Sequence, residues 1–303
     1  MKHILFPYGN AICYSGYRKG QRPGVAYPSY DEVREDLFLL KGKWQYLRLY
    51  DCSPHADIVL EVIEKESLPF KVMLGAYIDA EVNNHQCPWG GVHDEFVLQR
   101  NRKANEEEIQ KLIRLAQQYK DIVMALSVGN EATVDWNDHM VPVERVVQFA
   151  KEVKAAVRQP VTFCENYVPW TNKLEPLADV VDVISIHTYP EWEQKSIAQA
   201  MDYTKENYYS VANRYPHKPV IITEAGWTTV SNGRGIPPVL ASEANQKQYI
   251  SELMQWASKM GILTFIFEAF DEAWKGSNDP NEPEKHWGLY TQERKPKPVA
   301  AGI

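Results

Sequence analysis

Residues 122–136 read IVMALSVGNEATVDW, and the interpretation of the whole chain turns on them. Ile122 to Val128 has the length and composition of a strand buried on both faces, the kind found in parallel sheets. It stops abruptly at Gly129-Asn130-Glu131. A carboxylate just past the end of such a strand is expensive to place without partners or a task. Asn130 beside it can both donate and accept hydrogen bonds. The triplet alone fits a turn amide and a cap carboxylate as well as it fits a reactive site. The rest of the chain has to decide.

Working outward, strand and helix patterns alternate along the whole length, which signals a parallel sheet covered by outer helices. Strands are predicted at His3–Pro7, Tyr46–Asp51, Phe70–Tyr77, Ile122–Val128, Val161–Cys164, Val180–His187, Pro219–Thr223 and Ile262–Phe267. Helices are predicted from Ser29 to about Leu40, His55 to Lys65, Asn105 to Tyr119, Val143 to Val157, Ile197 to Asn213 and Glu243 to Met260. A long polar loop, roughly 81–101, follows the third strand. Nothing in residues 1–303 splits the chain, so the expectation is one α/β domain, a closed (β/α)8 TIM barrel. An open doubly wound sheet usually carries a Gly-rich first turn, and Pro7-Tyr8-Gly9-Asn10 is not one.

Composition narrows the partners. With 303 residues, 44% hydrophobic and 24% charged, the chain has ample core and a charged surface. A net charge of −7 disfavours nucleic acid and anionic membrane, both of which need a basic face. Seventeen Tyr and nine Trp bring the aromatic share to 12%, so some rings are expected to serve a ligand. Cys13, Cys52, Cys87 and Cys164 are scattered without a C-x-x-C pair, and the start lacks a secretory pattern. The expectation is a cytoplasmic, monomeric protein with reduced thiols, or a secreted one whose signal has been removed.

Active sites of such barrels lie at the C-terminal ends of the strands. The predicted strand ends carry Tyr50-Asp51, Asp79, Asn130-Glu131, Glu165-Asn166-Tyr167, His187-Thr188-Tyr189, Glu224 and Asp271-Glu272. Together they describe an acidic pocket ringed by hydrogen-bonding groups. Trp89, Trp136, Trp170, Trp192, Trp227 and Trp274 each follow a different strand, whereas Trp44 and Trp256 fall where core or helix residues would. A single Trp is as readily a packing residue, but six at one end suit the apolar faces of sugar rings. No H-E-x-x-H, G-x-S-x-G or phosphate-loop motif is present, and His85, His93 and His139 read as loop histidines, so neither metal nor cofactor is expected.

Two glutamates remain, Glu131 after strand four and Glu224 after strand seven, and glycoside hydrolysis needs two carboxyl groups. Val128-Gly129-Asn130-Glu131, Thr223-Glu224-Ala225-Gly226-Trp227, Leu47-Arg48-Leu49-Tyr50-Asp51 and Phe270-Asp271-Glu272-Ala273-Trp274-Lys275 followed by His286-Trp287-Gly288-Leu289 resemble glycoside hydrolase family 17, the β-1,3-glucanase family. The resemblance implies Glu131 as acid/base, Glu224 as nucleophile and Asn130 on the sugar 2-hydroxyl. It implies Tyr189 near the nucleophile and Asp271, Glu272 and Lys275 as a charged cluster beside the cleft, with Lys275 restraining Glu224 and Glu284 joining them. Tyr50, Asp51, Trp136, Trp170, Trp227 and Trp274 complete the expected sugar-binding set. Thr228-Thr229 after Trp227, where plant members commonly carry Pro-Ser, places the chain among microbial-type members.

The implied reaction is retaining hydrolysis of β-1,3-glucan or its oligosaccharides, with the carboxyl groups roughly 5–5.5 Å apart. Burial and repulsion from ionised Glu224 are expected to keep Glu131 protonated. Two alternatives stand beside it: transfer of the glucosyl unit to another sugar at the same site, and a barrel that binds glycan without catalysis. The loop near 81–101, containing Cys87-Pro88-Trp89-Gly90-Gly91, either walls one end of the cleft and favours chain ends or is a surface excursion.

Overall fold

The computed structural model describes residues 6–303. Eight parallel strands close into a barrel in sequence order. They are β1 (Ala11–Cys13), β2 (Tyr46–Leu49), β3 (Lys71–Gly75), β4 (Val123–Asn130), β5 (Val161–Asn166), β6 (Ile184–His187), β7 (Val220–Gly226) and β8 (Thr264–Phe267). Closure is direct, with Ala11 beside Phe265 and Ile12 beside Ile266. The strand expected at His3–Pro7 falls mostly on residues outside the described ones, and the barrel begins at Ala11 instead.

Helices cover the outside: α1 (Tyr30–Leu40), α2 (Pro54–Lys65), α3 (Glu95–Gln118), α4 (Val143–Ala156), α5 (Tyr167–Asn172), α6 (Glu175–Ala178), α7 (Ile197–Arg214) and α8 (Glu243–Met260). Local chemistry explains their ends. Ser29 and Glu32 form a reciprocal capping box at α1, Ser242 caps α8, and Gly261 ends α8 in the left-handed conformation. The largest departure from expectation is α3, which begins ten residues before the predicted Asn105. Its first turns are polar, yet buried Asn101 and Asn105 donate from their side-chain amides to the carbonyls of Ala80 and Asp79. Amides replace the apolar stripe there, so periodicity could not reveal it. The short α5 and α6 were likewise unforeseen.

Two apolar layers follow from strand alternation. Residues such as Leu47, Leu49, Val72 and Leu126 face the helices, while Tyr46, Met73, Ala125, Cys164, Val183 and Phe265 fill the barrel. Polar side chains share this interior, where the Thr162 hydroxyl bonds to the Ser185 hydroxyl at 2.8 Å. Arg48, two residues after Tyr46 on β2, points inward by the same alternation and is buried. Register shifts occur near the top of β4, β6 and β7, at Ser127/Asn130, Ile186/His187 and Ile222/Ala225. Such irregularities re-aim side chains, and here they flank Asn130, His187 and Glu224. No helix among the described residues is long and apolar enough to cross a membrane.

Candidate active site

Glu131 follows the last residue of β4 and takes a left-handed backbone with φ 46°. Gly129 before it lets the strand pass tightly, since a Cβ there would lie 2.7 Å from the Phe163 ring and 2.9 Å from Ile78. The Glu131 side chain is 27% exposed and its Oε1 lies 2.8 Å from His187 Nδ1. Glu224, on β7, is only 7% exposed. Gly226 is required just after it, because a Cβ would sit 2.2 Å from the Phe267 carbonyl oxygen.

The surroundings of Glu224 are built to hold an anion. Arg48 donates to Oε1 at 2.5 Å and the Tyr189 hydroxyl donates to Oε2 at 2.5 Å. His187 Nδ1 stands 3.6 Å from the same Oε2. Burial pushes the Glu224 carboxyl up, but the positive charges of His187 and Arg48 and the hydrogen bonds from Tyr189 and Arg48 outweigh it, bringing the pKa down to about 2. Burial acts on His187 in the opposite sense; Glu224, Cys164 and Glu131 override it and raise the imidazole to about 10. Arg48 also donates to the Asn130 side-chain oxygen at 2.5 Å, which engages the oxygen of that amide and leaves the nitrogen as its donor. One guanidinium thus joins β2, β4 and β7.

Glu131, His187 and Glu224 each present one atom, and these lie within 4.8 Å of one another. Two carboxylates this close, one firmly ionised and one partly open to solvent, can address the two sides of a single bond. Glu165, buried at the end of β5, accepts from the Thr133 backbone and hydroxyl at 2.9 and 2.6 Å. Burial and the charge of Glu131 raise its carboxyl to about 7 against those hydrogen bonds.

Several sequence expectations need correction. Lys275 does not reach Glu224; it pairs with Glu268 at 2.5 Å and Glu272 at 2.7 Å, and Arg48 takes the place expected of it. Asp271 is not in that cluster either. It binds Lys297 at 2.8 Å and the Gly288 amide at 2.9 Å, tying β8 to the C-terminal segment. Trp170 and Trp227 are 0% exposed core residues. Their indole N–H groups donate to the carbonyls of Ser185 and Leu240, so neither ring can meet a ligand. Trp136 and Trp274 are 40% and 36% exposed at the strand-end face. Trp274 donates to Glu272 at 3.1 Å and packs edge-on against Tyr17.

Tyr50 lies half-buried under the Arg48 guanidinium, 4.3 Å from its ring centroid. Asp51, also half-buried, accepts from the Ser53 amide at the start of α2. Glu284 is half-buried, and burial raises its carboxyl, with Lys275 acting against the shift and Glu131 and Glu224 adding to it. Sequence reasoning left Arg48, His187, Glu165 and Glu268 without roles. For Arg48 a signal existed: a charged residue at an inward position of an otherwise apolar strand.

Opposed carboxyls at the mouth of a closed (β/α)8 barrel, one of them held as an anion, can carry out the hydrolysis of a glycosidic bond. Residues 11–288 match the family described as the BtgE/BtgC glycoside hydrolase domain, and the chain belongs to that family. The resemblance to glycoside hydrolase family 17 holds. The chain is similar to a glucan 1,3-β-glucosidase of Arthroderma benhamiae, 26% identical over 97% of this chain and 91% of that protein. It is also 26% identical to a probable glucan endo-1,3-β-glucosidase btgC of Aspergillus flavus, matching 89% of this chain but spanning only 40% of that longer protein. Among solved structures, an endo-laminarinase from Formosa superposes with a TM-score of 0.83 at 26% identity, covering 96% of this chain and 85% of that one. The expectation of a cytoplasmic location draws no support from these relatives.

Proposed function

We propose that this chain hydrolyses β-1,3-glucosidic linkages of laminarin-type glucan or laminari-oligosaccharides by double displacement. The observation that carries the reading is the opposed pair Glu131 and Glu224, no more than 4.8 Å apart at their facing atoms, with Glu224 held as an ion by Arg48, Tyr189 and His187. Such closeness suits the roughly 5–5.5 Å of retaining enzymes rather than the roughly 6.5–9.5 Å of inverting ones. Glu131 protonates the glycosidic oxygen while Glu224 attacks the anomeric carbon, expelling the aglycone and leaving a glucosyl ester. Glu131 then takes a proton from water, which attacks the same anomeric carbon, breaks its bond to the Glu224 oxygen and frees the carboxylate. The Asn130 amide nitrogen, oriented by Arg48, holds the 2-hydroxyl as charge develops on the ring. Exposed Trp136 and Trp274 supply stacking faces for neighbouring sugars.

The test is a time course of products from laminarin and from linear laminari-oligosaccharides, with the anomeric form of the first product recorded by NMR. Shorter products of retained configuration are expected. Inverted first products would sink the double displacement, products longer than the substrate would replace hydrolysis with transfer, and binding without turnover would leave only a glycan-binding barrel.

A further inference from the structure

A left-handed backbone at a non-glycine residue costs on the order of 1–3 kcal/mol and persists only where its surroundings enforce it. At Glu131 the enforcement comes from the loop after β4. The Asn137 side-chain amide donates to the Glu131 carbonyl at 2.6 Å, and His139 Nε2 meets the Asn130 carbonyl at 3.0 Å. Those two carbonyls belong to the two peptide planes on either side of the Glu131 Cα. Between them they settle where its carboxyl is aimed.

His139 is itself fixed on all sides. Its Nδ1 lies 3.0 Å from Asp138 Oδ1, so both ring nitrogens face acceptors and both must donate. The ring packs against Tyr77, from the end of β3, at 5.1 Å between centroids. The loop after β3 braces the arrangement, with His93 Nε2 2.9 Å from the Asp138 carbonyl and the Asn84 amide donating to the Asp135 and Asn137 carbonyls. The charged or titratable groups facing this ring are Asp138 on its own loop, Glu131 just after β4 and Tyr77 after β3, with Asp79 acting on Tyr77 and His93 on Asp138 behind them.

We propose that His139 is a positioning residue for the acid/base: through the Asn130 carbonyl it holds the peptide that directs Glu131, while Asn137 holds the peptide on the other side. This rests on Glu131 being the acid/base of a β-1,3-glucan hydrolase. His139 acts wherever Glu131 delivers or takes a proton, and kcat/KM reports the first half-reaction, in which the proton is delivered to the leaving group. A leaving group that departs without a proton makes that delivery unnecessary.

Three variants separate the two ring nitrogens. In His139→Gln the amide nitrogen takes the place of Nε2 and keeps the bond to Asn130. In His139→Asn it takes the place of Nδ1 and keeps only the bond to Asp138, and His139→Ala loses both. On laminaritetraose, kcat/KM is expected to fall about 10²-fold in the Asn and Ala variants, the scale of an ångström-level misplacement, and to stay within a few-fold in the Gln variant. On dinitrophenyl β-laminaribioside, whose leaving group needs no protonation, kcat/KM should stay near wild type in all three. Equal losses on both substrates, or an Asn variant as active as the Gln variant, would overturn the proposal. Should the Ala variant fail to fold, the Gln and Asn pair still decides. Wild type inactive on laminaritetraose would instead remove the hydrolase reading on which the proposal stands.

Discussion

Glu131 and Glu224 are the same residue type, at corresponding ends of two strands of one barrel, and their surroundings are opposites. Glu224 sits within β7, nearly buried, and receives hydrogen bonds from a guanidinium and a phenol that keep it ionised. Glu131 sits on a backbone bent into the left-handed region, more open to solvent, with one ring nitrogen against it. A nucleophile must be an anion at a fixed place, whereas an acid/base must exchange a proton with water between two half-reactions. Under the proposed reaction, the division of labour between identical side chains is therefore set by what surrounds them.

The most severe way to probe this contrast is to neutralise the buried member. Glu224→Gln is expected to lower kcat by on the order of 10⁴-fold or more while leaving the circular dichroism spectrum unchanged. Wild-type turnover would remove Glu224 from the nucleophile role. Next comes the cation that makes Glu224 different. Because its folded pKa lies below its ordinary value near 4.5, ionised Glu224 stabilises the fold above that value, and the stabilisation is lost as pH falls toward about 2. Arg48→Met removes the main hydrogen-bonded cation, so the acidic limb of kcat/KM should move up by roughly 1–3 pH units. Stability at neutral pH should drop by about 3–5 kcal/mol, as expected when one partner of a buried pair is deleted. An unmoved acidic limb would mean that His187 and Tyr189 suffice.

Smaller effects test the same division among the tryptophans. Trp170→Ala is expected to cost about 3–5 kcal/mol in chemical denaturation. Trp136→Ala should change stability by less than about 0.5 kcal/mol and raise KM for longer laminari-oligosaccharides by a few-fold to about tenfold. Equal KM values for short and long substrates in that variant would place Trp136 outside the subsites. Glu165 gives the mildest test. Its folded pKa, raised to about 7, means that ionising it opposes folding as pH rises above its ordinary value near 4.5. Glu165→Gln should therefore gain thermal stability relative to wild type between pH 5 and 8, read as a widening Tm difference; a gap independent of pH would contradict the assignment.

Much of this was legible in residue order. Buried parallel strands need long apolar runs, and helices packed on them need a 3.6-residue stripe, so both leave local patterns. The pairing of Glu131 with Glu224 was legible too, because residues at strand ends converge in any closed barrel. The extended α3 escaped because Asn101 and Asn105 bury amides where the pattern calls for apolar side chains. Position after a strand cannot distinguish a tryptophan ring turned outward from one turned into the helices, and Trp170 and Trp227 go inward.

Gly129-Asn130-Glu131 marks the boundary between the two kinds of information. That a carboxyl stands at the mouth of a barrel follows from the order of the residues, because strand length and polarity are local properties. Which charge sits beside it is not local. Arg48 is 176 positions from Glu224 and 82 from Asn130, and only closure of the barrel brings them together. Electrostatic energy depends on distance in space, so the partners of each glutamate were settled by the folded chain.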